Sequence, residues 1–100
     1  MSSNFQLKVL LAAGKIPRGK VASYREVACL AGRKKACRAA GNALAGNPYL
    51  IEIPCHRVVC SNGALGGFKK GKAAKRRLLA REGILFDKKG KIPKRFFVKF

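Results

Sequence analysis

In the run Ile53-Pro54-Cys55-His56-Arg57-Val58-Val59 a cysteine stands beside a histidine, between two short apolar pieces. A cysteine attacks as thiolate, and a neighbouring imidazole or cation raises the thiolate fraction at neutral pH. His56 and Arg57 both qualify. Pro54 fixes its own φ and biases Ile53 towards extended geometry, so the pair is expected on a turn or strand end rather than inside a helix. Taken alone, the same letters fit a bland alternative, with Cys55 a small buried hydrophobe and His56 a satisfied surface side chain. Glu82 is the one acid in a strongly basic stretch, Gly71 to Glu82, and has two readings: a carboxylate with a specific partner, or a solvated surface group.

Lys and Arg number 23 against 4 Asp and Glu, a net charge of +19, which points to a polyanionic partner, with nucleic acid foremost. An acidic membrane surface is the alternative. No run of about 20 apolar residues is present, and no basic amphipathic helix stands apart from the rest. The runs Lys69-Lys70-Gly71-Lys72 and Lys88-Lys89-Gly90-Lys91 fit a solvated surface equally well. The cysteines, at 29, 37, 55 and 60, are separated by 8, 18 and 5 positions, and the single histidine adjoins one of them. That is not the spacing of a zinc site, and no metal or other cofactor is implied. Met1 to Asn4 is polar, and the apolar residues after it are interrupted by Lys8 and Lys15, so no secretory signal is read. The expectation is an intracellular, cytoplasmic protein, nuclear if eukaryotic, whose cysteines stay reduced. At 100 residues the chain is expected to form one domain over 1–100 with one modest core.

The elements that must position these residues are set by periodicity and punctuation. Phe5, Val9, Ala12 and Ala13 with Leu7, Leu10 and Leu11 predict an amphipathic helix over 3–14, ending at Gly14. Ile16 to Lys20 reads as a turn and Val21-Ala22 as a short extended piece. Ser23 and Glu26 form a capping box opening a helix that runs to Gly32. A second helix is expected over 34–45, with Ala36, Ala40, Ala43 and Leu44 facing inward, and the two make a helix-turn-helix. Apart from Arg38, Asn42 and its lysines, this second helix exposes only Ala, Gly and Cys. Either it packs against a neighbour, or it lies in a nucleic-acid groove with Lys34 and Lys35 on phosphates and Arg38 reaching between bases.

Asn47-Pro48 ends that helix. Val58-Val59-Cys60 and Ala64-Leu65 flank Ser61-Asn62-Gly63, an Asn-Gly hairpin signal predicting a small wing. Gly66-Gly67 permits a tight loop over a pocket, and Phe68 either stacks on a base or joins the core. The last helix is expected over 71–82, with Ala74, Leu78 and Leu79 inward and Lys72, Lys75, Arg76, Arg77 and Arg81 outward. The basic, aromatic tail over 84–100 is either a strand closing over the core or a flexible nucleic-acid-binding arm. The fold class is mainly α: a winged helix-turn-helix-like domain of about four helices with a small β-hairpin wing.

Pro-Cys-His-Arg-Val at 54–58, preceded by Arg38-Ala39-Ala40-Gly41-Asn42-Ala43-Leu44-Ala45-Gly46-Asn47-Pro48 and followed by Ser61-Asn62-Gly63-Ala64-Leu65-Gly66-Gly67-Phe68, resembles the DNA-binding domain of the O6-alkylguanine-DNA alkyltransferases. These are the methylated-DNA-protein-cysteine methyltransferases, and the likeness runs from about Phe5 to Gly83. It implies a single-turnover enzyme in which the Cys55 thiolate takes the alkyl group from O6-alkylguanine, and from O4-alkylthymine, in double-stranded DNA. It further implies that a monomer enters the minor groove and flips the damaged base. By the same resemblance Glu82 orients His56, which deprotonates Cys55 through a water. Tyr24 turns the nucleotide out and serves the leaving guanine, and Arg38 fills the space left behind. Asn47 bridges the recognition helix to the reactive loop, and the backbone near Val58, with Ser61, holds the base edge.

Three departures from the family pattern stand out. Members usually carry a further amino-terminal domain not read in these 100 residues, Phe68 replaces a common tyrosine, and Ala45 replaces an arginine of some members. Rival readings are an alkyltransferase-like damage sensor, usually with tryptophan in place of the cysteine, and a small basic architectural DNA-binding protein. A Cys-His hydrolase would need an oxyanion hole and repeated turnover.

Overall fold

In the computed structural model the residues described are 3–33, 35–46, 53–68 and 70–99. The capping signal works locally as expected: the Glu26 N–H donates to Ser23 Oγ at 2.9 Å, and the helix α2 runs Tyr24–Leu30. Before it lie α1 (Ser3–Gly14) and a two-residue strand β1 (Ala22–Ser23). The second helix of the pair, α3 (Cys37–Ala45), starts three positions later than its sequence pattern suggests. The reason is that the intervening backbone is committed to the turn, the Arg33 N–H donating to Ala28 O and the Ala36 N–H to Arg33 O, both at 2.9 Å. Ala40, Ala43 and Leu44 are buried as predicted, whereas Ala36, at the N-cap, is only half-buried.

The chain then returns through a single 3-10 turn, Cys55–Arg57, into strand β2 (Val58–Val59). Here the hairpin expectation needs correction. The Asn62-Gly63 turn forms, with the Cys60 N–H bonded to Ala64 O at 2.9 Å and the Ala64 N–H to Asn62 Oδ1 at 3.0 Å. Yet Ala64-Leu65 is not a strand. β2 instead pairs in parallel with β1, Ala22 opposite Val58 and Ser23 opposite Val59. The turn is closed from outside by the tail, whose Ile92 N–H donates to Gly63 O at 2.9 Å. Gly63 has φ +91°, and a Cβ there would meet Ile92 O at 2.7 Å, so only glycine fits.

Helix α4 (Lys72–Arg81) follows Gly71. The tail closes over the core, but not as the expected strand: Lys94–Phe96 is a 3-10 turn and Phe97 makes a single parallel bridge to Val21, the Val21 N–H donating to Phe96 O and the Val98 N–H to Val21 O, at 2.9 and 2.8 Å. Two apolar clusters result. Val9, Ala13, Val27, Ala28, Ala40, Leu44 and Val58 unite α1, α2, α3 and the start of β2. Val21, Val59, Leu79, Ile84 and Ile92 join β1's approach, β2, α4 and the tail. Each fully buried aliphatic side chain contributes roughly 1.5–3 kcal/mol, so the Cys55–Arg57 turn is clamped between two independent packings. Among the described residues no helix is long and apolar enough to cross a membrane.

Candidate active site

Cys55 opens the 3-10 turn, 6% exposed, and its thiol donates to the carbonyl of Leu44 on α3 across 3.8 Å. It lines a cavity of about 550 Å³ whose walls include Tyr24, Arg38, Asn42, Cys60 and Phe68. That volume suits a small ligand. Behind the thiol, His56 Nε2 lies 2.9 Å from Glu82 Oε2. Arg57 grips the same carboxylate twice, Nε to Oε1 at 2.9 Å and Nη2 to Oε2 at 2.8 Å, while its Nη1 donates to Ile16 O at 2.8 Å. Burial alone would raise the Glu82 carboxyl, but hydrogen bonds from Arg57 and His56 hold it below its ordinary value. It is therefore the ionised carboxylate that orients the imidazole, and the Nε2 of His56 is the nitrogen so engaged.

Tyr24, first residue of α2, projects into the cavity with its hydroxyl donating to Gly67 O at 3.2 Å. Its phenol is pushed up to about 12, first by burial and then by the neighbouring Cys60 and Cys55 side chains, so it stays protonated at neutral pH. Gly66, at φ +73°, packs against the ring so closely that a Cβ would come within 2.8 Å of Tyr24 Cε2.

The outward placement expected for Lys75 is wrong. Its side chain is fully buried, with Nζ donating to Val58 O at 2.6 Å, Gly67 O at 3.1 Å and the Tyr24 hydroxyl at 3.3 Å. Three oxygens from three segments compensate its burial, which still draws its amine down to about 8 against the opposing pull of Cys60 and Cys55. The sequence carries a signal for this, since Lys75 stands at i, i+3, i+4, i+7 with Leu78, Leu79 and Glu82, on the inward stripe of α4. Arg57, read as a possible activator of the thiol, is instead the anchor of Glu82.

Arg38 and Phe68, both expected at the site, line the cavity, with Phe68 also packed on the first core cluster, and Lys35 is exposed before α3. Val58 is buried, its N–H bonded to Cys55 O and its carbonyl taken by Lys75. Ser61 is exposed on the turn after β2. Lys34 and Asn47 lie outside the described residues. Among the described residues no buried side-chain nitrogen or oxygen lacks a partner, and no group of three or more His, Cys, Asp or Glu could hold a metal ion.

Fold and site together define a helix-turn-helix domain with a thiol, imidazole and carboxylate gathered beneath its second helix. The family described as 6-O-methylguanine DNA methyltransferase, DNA binding domain, matches residues 4–84, and the chain belongs to it. The human methylated-DNA-protein-cysteine methyltransferase is 56% identical over 72 residues, 72% of this chain and 35% of that protein. Its counterpart from Methanothermobacter thermautotrophicus is 44% identical over 85 residues, 85% of this chain and 47% of its own. The chain thus spans between a third and a half of these relatives. Among solved structures, Mycobacterium tuberculosis OGT in complex with DNA is similar at a TM-score of 0.77 and 43% identity, covering 79% of this chain and 48% of that one. Schizosaccharomyces pombe Atl1, bound to damaged DNA containing O6-carboxymethylguanine, gives a TM-score of 0.85 at 28% identity and covers 98% of this chain and 97% of its own.

Proposed function

We propose that this protein repairs DNA by moving the alkyl group of O6-alkylguanine, or of O4-alkylthymine, onto Cys55, once per molecule. The observation that carries the reading is the 2.9 Å contact with Glu82 of His56, the residue next in the chain to a cysteine that lines a cavity of about 550 Å³. With Nε2 held by the carboxylate, Nδ1 is the nitrogen that accepts the thiol proton, through a water. The thiolate attacks the alkyl carbon: a carbon–sulfur bond forms, the carbon–O6 bond breaks, and guanine leaves with its negative charge stabilised by a hydrogen bond from the Tyr24 hydroxyl, the thiol proton remaining on His56. Lys75 holds that hydroxyl in place. The thioether is stable to water, so the molecule is spent.

Reaching O6 requires the nucleotide to leave the stack, at a cost of a few kcal/mol that a damaged pair lowers. Arg38 on α3 occupies the vacated space, Tyr24 presses the nucleotide outward, and Lys35 meets a phosphate. The backbone about Val58, with Ser61, reads the base edge, while Phe68 covers the base. The relatives' names and the DNA in the OGT and Atl1 complexes support DNA as the partner; entry through the minor groove of a duplex by a monomer is part of the proposal. Incubation with excess duplex containing O6-methylguanine tests this: transfer stops after one equivalent per chain, whereas repeated turnover contradicts it.

The near-complete overlap with Atl1, solved on DNA that still carries its O6-carboxymethylguanine, is consistent with the rival reading raised from the sequence, a sensor that binds and marks damage without removing it. Retained damage-specific binding with no alkyl transfer would select it.

A further inference from the structure

Beyond the cations near α3, five more, Arg76, Arg77, Arg81, Lys88 and Lys89, lie on α4 and in the segment that follows it. On α4 the inward stripe is Lys75, Leu78, Leu79 and Glu82, so the opposite side carries Arg76, Arg77 and Arg81, all exposed, with only the exposed alanines 73 and 80 between them. The guanidinium of Arg76 stacks over Phe86, 4.6 Å from the ring centroid, and brings the 86–90 loop against this face. That loop is fixed by Asp87, whose Oδ1 accepts the N–H groups of Lys89 and Lys91, both at 2.9 Å, leaving Lys88 and Lys89 exposed at its tip. The local acids therefore do not neutralise the cations: Asp87 is spent on backbone and Glu82 on His56 and Arg57. An arginine-rimmed surface with small residues at its centre and preset lysines beside it matches a phosphate backbone, which demands close approach and several positive charges.

We propose that the outer face of α4 and the 86–90 loop bind a second segment of duplex DNA, so that one molecule bridges two duplexes. This goes beyond the repair reading. Because α4 sends Lys75 to the Val58 and Gly67 carbonyls behind the cavity, its outer face points away from the cavity mouth. A single duplex touching both faces would have to curl around a body whose two shorter extents are 23 and 20 Å, a bend far sharper than short DNA adopts cheaply. An anionic membrane is the less suitable partner, since the centre of the face is alanine rather than the large apolar residues an interfacial helix inserts.

Sedimentation of the full chain with excess short undamaged duplex tests the proposal. The wild type binds two duplexes per chain. The variant Arg77→Gln/Arg81→Gln/Lys88→Gln/Lys89→Gln binds one, with capture of a second reduced about tenfold or more. Its alkyl transfer stays within about threefold of wild type, as for surface changes elsewhere. Arg38→Ala, which impairs the α3 face, still takes up a duplex through α4, so failure of the repair reading and failure of this one are separable. The proposal is overturned by one duplex per wild-type chain at saturation, or by tighter binding to phosphatidylserine vesicles than to DNA. It is equally overturned if the fourfold variant loses first-duplex affinity with a salt slope lower by about 0.9 per lost contact, which would put both faces on one duplex.

Discussion

The reactive centre and the α3 face are built by opposite means. Around Cys55 every polar group is held: Glu82 by Arg57 and His56, Arg57 also by Ile16 O, Lys75 by three oxygens. The α3 face carries exposed Arg38, Ala39, Asn42 and Ala45, with few side chains to hinder an approaching surface. A reaction needs groups fixed within a fraction of an ångström, so its residues hold one another. A groove-binding face needs backbone proximity and a few projecting groups, so it works largely by leaving side chains out. Substitutions in the first region should therefore change rate and stability together, and those in the second should change DNA binding alone.

Glu82→Gln puts the largest strain on that distinction. Single-turnover transfer should fall about 10²- to 10⁴-fold as the imidazole loses its orienting charge. Denaturant unfolding should show a loss of about 2–3 kcal/mol, because the half-buried Arg57 keeps its charge without a counter-ion. Equal stability with a lower rate would sever the proposed link. Gly66→Ala should come next, since its Cβ would strike the Tyr24 ring. A displacement of that kind should slow transfer about a hundredfold while binding of undamaged DNA is unchanged.

Arg38→Ala should give the reverse pattern, a Kd for duplex DNA raised about tenfold, or 1.4 kcal/mol, with unfolding free energy unaltered. Smallest, taken per pH unit, is a titration effect at Lys75. Its folded value of about 8 is below the ordinary 10.5, so the native state sheds its proton first. Stability measured against Lys75→Met should then shift in the wild type's favour from pH 8 to 10.5, on the order of 1 kcal/mol per unit. At the other end, Glu82 is held below 4.5, so its contribution is complete above that pH and disappears as pH falls through the lower folded value.

How far the sequence can be read differs between these regions for a physical reason. The contact of His56 with Glu82 is implied by the family resemblance alone, whereas the four helices and the Ser23 cap depend on local periodicity and capping motifs, which are visible in one dimension. The parallel β1–β2 pair is not legible there, because two-residue strands have no period and their partner is chosen by distant packing. The Asn-Gly turn is legible, but its closure by Ile92 rather than by a second strand arises from the tail. Lys75 defeats a reading by residue type because a lysine is almost never fully buried unless oxygens await it, and here they come from Val58, Gly67 and Tyr24, far apart in the chain. The tail's alternation fits strand and free arm equally, whereas its bonds to Val21 close it over the core with a 3-10 turn and a single bridge.

Three thiols, Cys37, Cys55 and Cys60, line the cavity, so the most direct test identifies which sulfur reacts. After exposure to duplex DNA containing O6-methylguanine, intact-mass and peptide mapping should find one methyl group per chain, on Cys55 alone, and none on Cys55→Ala. A methyl group on Cys37 or Cys60, or a Cys55→Ala protein that still removes the lesion, would contradict the account.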